Sequence, residues 1–355
     1  MTEFRTADNV IVVEYADVIN PKADLSAQIE AAFGSNPSAL GLILVRGIPE
    51  LENKVGDLLP LASRLGGLSA EEKAKYEFPD LSYMVGWSHG KERFQGVFDT
   101  AKGSWYANPS SDTPTDDPAE LAKYREFAQP NVWPTEEIPQ LEGAFKALGQ
   151  LIVDTGARLA VHCDKFISSQ IADFPANYIE NVIKNSKATK GRLLHYFPVD
   201  NPPASRADDT GSWCGWHLDH GTLTGLTPAR YYRGDEETSM PDATAGLYIR
   251  NRNGDVLKAP IPRDCLAFQL GQSLQIASGG HLSATPHCVI GPVGLETAGI
   301  ARNTLAVFMQ PNFSEKLYFP QTGSPEELAK KIDVPQWKAG QDFGEFTIAT
   351  NELYY

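Results

Sequence analysis

The sequence predicts a mainly β protein with peripheral helices, its strands gathered into a barrel or a two-sheet jelly roll. Two observations carry this expectation. Beyond Lys190 the chain breaks into short apolar runs separated by Gly, Pro, Asn or Asp, a spacing that suits strands and turns rather than strands alternating with long helices. Before Lys190, apolar residues recur at helical spacing, and the 42% hydrophobic and 10% aromatic content of 355 residues is enough for a large core.

In chain order, 11–13 and 42–45 are apolar or β-branched and read as short strands. Between them, 24–33 places Leu25, Ile29, Ala32 and Phe33 on one side of a helix. Gly47 and Pro49 break the second strand ahead of a helix over 51–65, and Ser69 with Glu72 supplies a capping box that starts another. From 78 to 115 periodicity is weak, so irregular structure is expected. Tyr83, Trp87, His89, Phe94, Trp105 and Tyr106 give that stretch apolar area for a pocket rim or for ordinary packing. The clearest helix is 138–163, where Leu141, Phe145, Leu148, Leu151, Ile152 and Leu159 recur, and 165–184 continues in helical pieces. Strands follow at 192–197, 223–226, 243–249, 264–270, 273–276, 287–290 and 304–309. The expected division is a helix-rich N-terminal region, 1–185, packed on a jelly-roll core, 186–315, with a C-terminal extension, 316–355, closing the same structural unit.

Asp and Glu outnumber Lys and Arg by 45 to 31, a formal charge of -14. That balance opposes nucleic acid and anionic membrane as general partners while leaving room for a local basic pocket that takes a small acid. There is no basic stripe interleaved with aromatics, no P-loop and no strand–GxGxxG–helix arrangement to support nucleotide cofactors. No apolar run reaches the roughly 18 residues of a membrane span, and the first residues lack a basic leader with an apolar run behind it. Cys163, Cys214, Cys265 and Cys288 have neither CxxC spacing nor the density of a disulfide framework. The expectation is a cytoplasmic protein acting on a small molecule, with no nucleic-acid, membrane or obligate protein partner.

The segment WCGWHLDHGTLT, 213–224, holds the most chemistry. His217 and Asp219 are two apart, so at an extended strand end they share a side while Leu218 takes the other. A third ligand must come from another strand, and His287, after Pro286 and before the apolar Val289 and Ile290, is the best candidate. Two neutral imidazoles and one carboxylate suit Fe(II) with coordination positions left open. His220 is an alternative to His217, although a regular strand turns it away from Asp219. His281, in a turn-like GGH, is the rival of His287. His195 is placed to face the cavity without binding metal, and His89 and His162 have no comparable acidic partner.

Seven segments occur in a telling order: GLILVRGIPE at 41–50, NVWPTEEIPQLEGAF at 131–145, RLLHYFP at 192–198, HLDHGTLT at 217–224, LGQSLQIASGG at 270–280, SATPHCVI at 283–290 and ARNTLAVFMQP at 301–311. With them the chain resembles, along nearly its whole length, the isopenicillin N synthase-like branch of the iron(II)/2-oxoglutarate-dependent oxygenases. The resemblance implies a double-stranded β-helix, a cupin-like jelly roll, with helices around it. It implies His217, Asp219 and His287 as the catalytic iron ligands, and Arg302 and Thr304 of RNT, matching an Arg-x-Ser pair, as the grip on the far carboxylate of 2-oxoglutarate. Dioxygen is the second cosubstrate implied. The activity implied is hydroxylation of a small organic molecule with release of succinate and carbon dioxide, desaturation and ring chemistry being variants. Phe308 matches a pocket-lining position, and His195, Phe197 and Gln310 are further candidates for the substrate pocket.

Three departures stand out. HYFP replaces NYYP, so Phe197 lacks a hydroxyl; GPVGLETAG lengthens the gap from His287 to Arg302; and Gln272 replaces an Asp in a turn, a structural change. Two alternatives stay open, an isopenicillin N synthase-like Fe(II) oxidase that does not use 2-oxoglutarate and a catalytically inactive small-molecule binder.

Overall fold

The computed structural model describes residues 5–94, 97–206, 213–321 and 325–352; the side chains of Arg93, Phe94, Val97 and Pro325 lie outside the described residues. Two main sheets face each other. The smaller runs Arg5–Thr6, Val256–Lys258, Gly246–Arg250, His287–Ile290 and Cys214–His217. The larger runs Ile11–Glu14, Leu42–Arg46, Cys265–Leu270, Leu223–Leu226, Ile300–Met309, Lys190–Tyr196, Lys102–Ala107 and Gly86–His89. A hairpin of Arg230–Arg233 with Glu236–Thr238 joins it along the first half of Ile300–Met309. Leu42, Leu44, Leu194, Ala267 and Ala306 from the larger sheet meet Cys214, Leu247, Ile249 and Val289 from the smaller in one buried cluster.

The strand Ile300–Met309 shows why these residues form this layer. Its side chains alternate, so Arg302, Thr304, Ala306 and Phe308 line the space between the sheets while Leu305, Val307 and Met309 join the core on the other face. That second face is covered by helices Leu51–Gly67 and Leu141–Gln170. The long helix buries Leu141, Phe145, Leu148, Ile152 and Leu159 as its periodicity predicts, with Leu151 partly buried. It comes so close that a Cβ added to Gly225 would lie 2.2 Å from Ile152 Cγ2, and one added to Gly191 2.5 Å from Phe145 Cζ.

Several expectations change. The stretch 78–115 is not irregular throughout: Gly86–His89 and Lys102–Ala107 pair with each other, and the latter pairs with Lys190–Tyr196. Trp87 and Trp105 are 2% and 0% exposed and belong to the core, not to a rim. Gly, Ser and Lys in these strands mask the alternation, and pairing with the neighbouring strand overrides the weak local signal. The N-terminal region therefore supplies strands to the sheet as well as helices around it. Residues 273–276 are not a strand but part of helix Gln272–Ala277. The amides of Gln272 and Ser273 donate to the carbonyls of Asp219 (2.8 Å) and His220 (3.1 Å), so contacts with the loop after His217 turn the chain. The capping box at Ser69 forms as expected, ahead of Ala70–Ala74. Among the described residues no helix is long and apolar enough to cross a membrane.

Candidate metal centre

His217 ends the strand Cys214–His217, Asp219 follows in the loop, and His287 begins the neighbouring strand, where it is the register partner of His217. Their ligand atoms all lie within 4.8 Å of one another. Asp219 Oδ1 is 4.0 Å from His217 Nε2 and 3.9 Å from His287 Nε2, and the two rings are 4.2 Å apart at their centroids. Such separations leave room for an ion between the three groups without a protein–protein hydrogen bond to displace.

The surroundings prepare these groups as ligands. His217 Nδ1 lies 2.8 Å from the Gly215 carbonyl and His287 Nδ1 3.3 Å from that of Thr285, so each Nδ1–H donates there and each Nε2 keeps its lone pair for the centre. Burial pushes both imidazoles down, which favours the neutral, coordinating form. Burial acts to raise the Asp219 carboxyl, but the facing His287 and His217 outweigh it and hold it below its ordinary range. Asp219 Oδ2 and Thr224 Oγ1 are both buried without a hydrogen-bond partner; the hydroxyl is near enough to favour the carboxylate but misses hydrogen-bond geometry. An orphaned carboxylate oxygen beside two oriented imidazoles is a donor set that fits a divalent transition ion.

The same cavity holds the second predicted pair. Arg302 is 6% exposed, and its Nε and Nη1 are buried without partners. Its guanidinium lies 4.8 Å from the ring centroid of Tyr196. Thr304, two residues on, directs its hydroxyl toward Thr227, 3.2 Å from Thr227 Oγ1. Buried guanidinium donors without acceptors fit a carboxylate that the protein itself does not supply.

Of the predicted pocket residues, Phe308 lines this cavity. His195 does not: Lys190–Tyr196 sends Arg192, Leu194 and Tyr196 into the cavity and His195 to the opposite face. There its Nδ1 lies 2.8 Å from Asn303 Oδ1, and a Cβ on Gly66 would come within 2.4 Å of its ring. Phe197 packs on His195 and His89, at 4.7 Å from each ring, rather than lining the cavity. Gln310 is also displaced from it, its amide donating to the Ala188 carbonyl at 2.6 Å. His220, turned away from Asp219 as expected, stacks on Phe343 at 5.7 Å, and His281 accepts from Lys331 Nζ at 2.7 Å. Arg192, Tyr196, Thr224 and Thr227 line the cavity although the motifs did not single them out. The alternation that places Arg302 and Thr304 on one face, applied to the paired strand, is the signal that finds Arg192 and Tyr196.

No protein-family model matches the chain. A stretch of 160 residues, 45% of this chain, is 26% identical to scopoletin 8-hydroxylase of Arabidopsis thaliana and spans only 37% of that protein. Among solved structures, one from Caulobacter crescentus described as a 2OG-Fe(II) oxygenase family protein superposes with a TM-score of 0.69 at 18% identity, covering 98% of this chain and 99% of that one. A full-length protein of Neurospora crassa, solved in complex with alpha-KG, gives a TM-score of 0.67 at 17% identity, covering 99% of both chains. The two structural likenesses extend over essentially the whole chain and establish a shared fold.

Proposed function

We propose that this protein is an iron(II)- and 2-oxoglutarate-dependent oxygenase that oxidises, most simply by hydroxylation, a small organic molecule, on a double-stranded β-helix core of the isopenicillin N synthase-like kind. One observation carries the reading: the metal-competent face of His217, Asp219 and His287 shares a buried cavity with the unpartnered guanidinium of Arg302. A metal site alone, or a carboxylate site alone, would have many uses. Together they match the two ends of a 2-oxo diacid.

In this reading His217 Nε2, His287 Nε2 and an Asp219 oxygen hold Fe(II). When bound, Fe(II) supplies the redox chemistry by which dioxygen and 2-oxoglutarate yield succinate, carbon dioxide and an oxidised substrate. Arg302 binds the far carboxylate through its planar fork, Tyr196 supports the guanidinium from its ring face, and Thr304 offers a hydroxyl beside it. Leu194, Leu226, Leu247, Ile261 and Val289 wall the same space and exclude water, strengthening these polar contacts. Phe197, where the motif departs, packs away from the cavity, so the missing hydroxyl leaves Arg302 and Thr304 intact. Four buried cysteines without a disulfide support the proposed cytoplasmic location.

Anaerobic titration with Fe(II) and then 2-oxoglutarate tests the reading, which expects a visible metal-to-ligand charge-transfer band that depends on both. Iron binding without the band favours an oxidase that needs no 2-oxoglutarate; absence of iron binding favours an inactive binder.

A further inference from the structure

We propose that Phe343 and Gln336, in the C-terminal extension, are positioning residues for the metal. They fix the loop that presents Asp219, so that Fe(II) affinity depends on a part of the chain outside the cavity. The inference rests on the oxygenase reading and adds to it the way its carboxylate ligand is held.

The three ligands are not held alike. His217 and His287 each donate from Nδ1 to a backbone carbonyl, so each ring is oriented by a hydrogen bond of its own. Asp219 accepts none from the described residues, and its Oδ2 is buried without a partner. It also lies beyond His217, the last residue of its strand. The place of its carboxylate must therefore come from the backbone of 218–222, and two other parts of the chain fix that backbone from opposite sides.

On one side is the start of helix Gln272–Ala277. The Gln272 amide donates to the Asp219 carbonyl at 2.8 Å, the Ser273 amide to those of His220 and Gly221 at 3.1 Å each, and the Gly271 amide to that of Thr222 at 3.0 Å. The approach is so close that a Cβ on Gly271 would fall 2.1 Å from the Gly221 carbonyl oxygen. The extension ties down this helix in turn: Gln336 Nε2 donates to Gln272 Oε1 at 2.8 Å, and Gln275 Nε2 donates to the Ile332 carbonyl at 2.5 Å. On the other side, His220 lays its ring on Phe343, with 5.7 Å between centroids and 19° between planes, and meets the edge of Phe346 at 6.3 Å. Both phenylalanines are fully buried and belong to the helix Phe343–Asn351. Phe343 has little freedom. Its amide donates to the Glu315 carbonyl at 2.9 Å, and Asp342, which caps its helix, accepts from Lys123 Nζ at 2.8 Å and from the Tyr124 hydroxyl at 2.5 Å. Offset stacking has a preferred geometry, so a fixed Phe343 holds the His220 ring, and with it Asp219 one residue earlier.

The test measures anaerobic Fe(II) affinity of the full chain in wild type, Gln336→Leu, His220→Leu, Phe343→Leu and the double variant of the last two, beside His220→Phe, which keeps a flat ring against Phe343. Each single Leu variant should weaken Fe(II) binding by roughly tenfold or more. Because His220 and Phe343 act through one contact, the double variant should fall within about a factor of two of the weaker single, and His220→Phe should bind as wild type does. Amide exchange of the metal-free proteins, read by mass spectrometry, gives a second readout that needs no ion. Residues 270–280 should exchange faster in the Leu variants than in wild type, while Lys190–Tyr196 keeps its protection. Wild-type Fe(II) affinity in the folded Leu variants would overturn the proposal. So would equal loss of protection in both segments, because the contacts would then serve only the general fold. If wild type itself takes no Fe(II), the oxygenase reading falls, and the metal-free exchange decides separately whether Phe343 and Gln336 hold the loop.

Discussion

Replacing Arg302 with Met should separate function from stability in opposite directions. In the ligand-free chain the guanidinium brings two buried donors without acceptors, at a cost of roughly 1–3 kcal/mol each. Its ring contact with Tyr196 returns about 0.5–2 kcal/mol. A Met of similar length keeps most of the packing, so the variant should melt at or above the wild-type temperature, and chemical denaturation should place it no more than about 1 kcal/mol below wild type. Loss of a buried, charge-assisted partner for a carboxylate should cost about 2–5 kcal/mol. At about 1.4 kcal/mol per factor of ten, that weakens 2-oxoglutarate binding by roughly thirty- to several-thousand-fold. Anaerobic titration in the presence of Fe(II) measures the affinity, and urea unfolding of the apo chain measures the stability. Undiminished affinity, or a loss of apo stability of several kcal/mol, would refute the argument, because the guanidinium would then be serving the fold and not an absent anion.

Asp219→Ala should lower Fe(II) affinity by at least about a hundredfold, read by equilibrium dialysis with metal analysis, since it removes the charged ligand; full iron occupancy at wild-type affinity would contradict the assignment. Burial pulls the Lys190 ammonium down to about 8, against 10.5 for the ordinary side chain, so between those values the unfolded chain binds more protons and stability rises with pH. The stability of wild type relative to Lys190→Met should therefore increase by about 3 kcal/mol from pH 7.5 to 10.5, measured by urea unfolding at each pH, and a flat difference would argue against an unpaired buried ammonium. Gly225→Ala places a methyl within 2.2 Å of Ile152 Cγ2 and should destabilise by about 1–3 kcal/mol through displacement of the long helix; an unchanged melting temperature would show that the helix yields freely.

The convergence of His217, Asp219 and His287 was legible because spacing and strand context agree: an HxD at a strand end, and a histidine that opens an apolar strand, need only antiparallel pairing to meet. Arg302 and Thr304 were legible only through the resemblance, since nothing local distinguishes RNT from any polar interruption of a buried strand. The pocket beyond them was misread at His195 by one residue, which on a strand exchanges the two faces. His195 serves instead in a polar tie: Asn303 Nδ2 donates to the Leu59 carbonyl and Ser63 Oγ, each at 2.8 Å, and Asn303 Oδ1 meets His195. The strands Gly86–His89 and Lys102–Ala107 were hidden because their order comes from partners distant in sequence. The helix Gln272–Ala277 was hidden because carbonyls of the Asp219 loop, not its own propensities, fix its start.

The division of labour between the sheets has a mechanical corollary. His217 and His287 are rooted in the smaller sheet and Arg302 and Thr304 in the larger, so under the proposed function a single 2-oxoglutarate held at both ends would be a cross-tie between the leaves of the sandwich. Loading should then slow amide exchange in Cys214–His217 and His287–Ile290 together with Ile300–Met309, tightening the jaws of the site before a substrate enters.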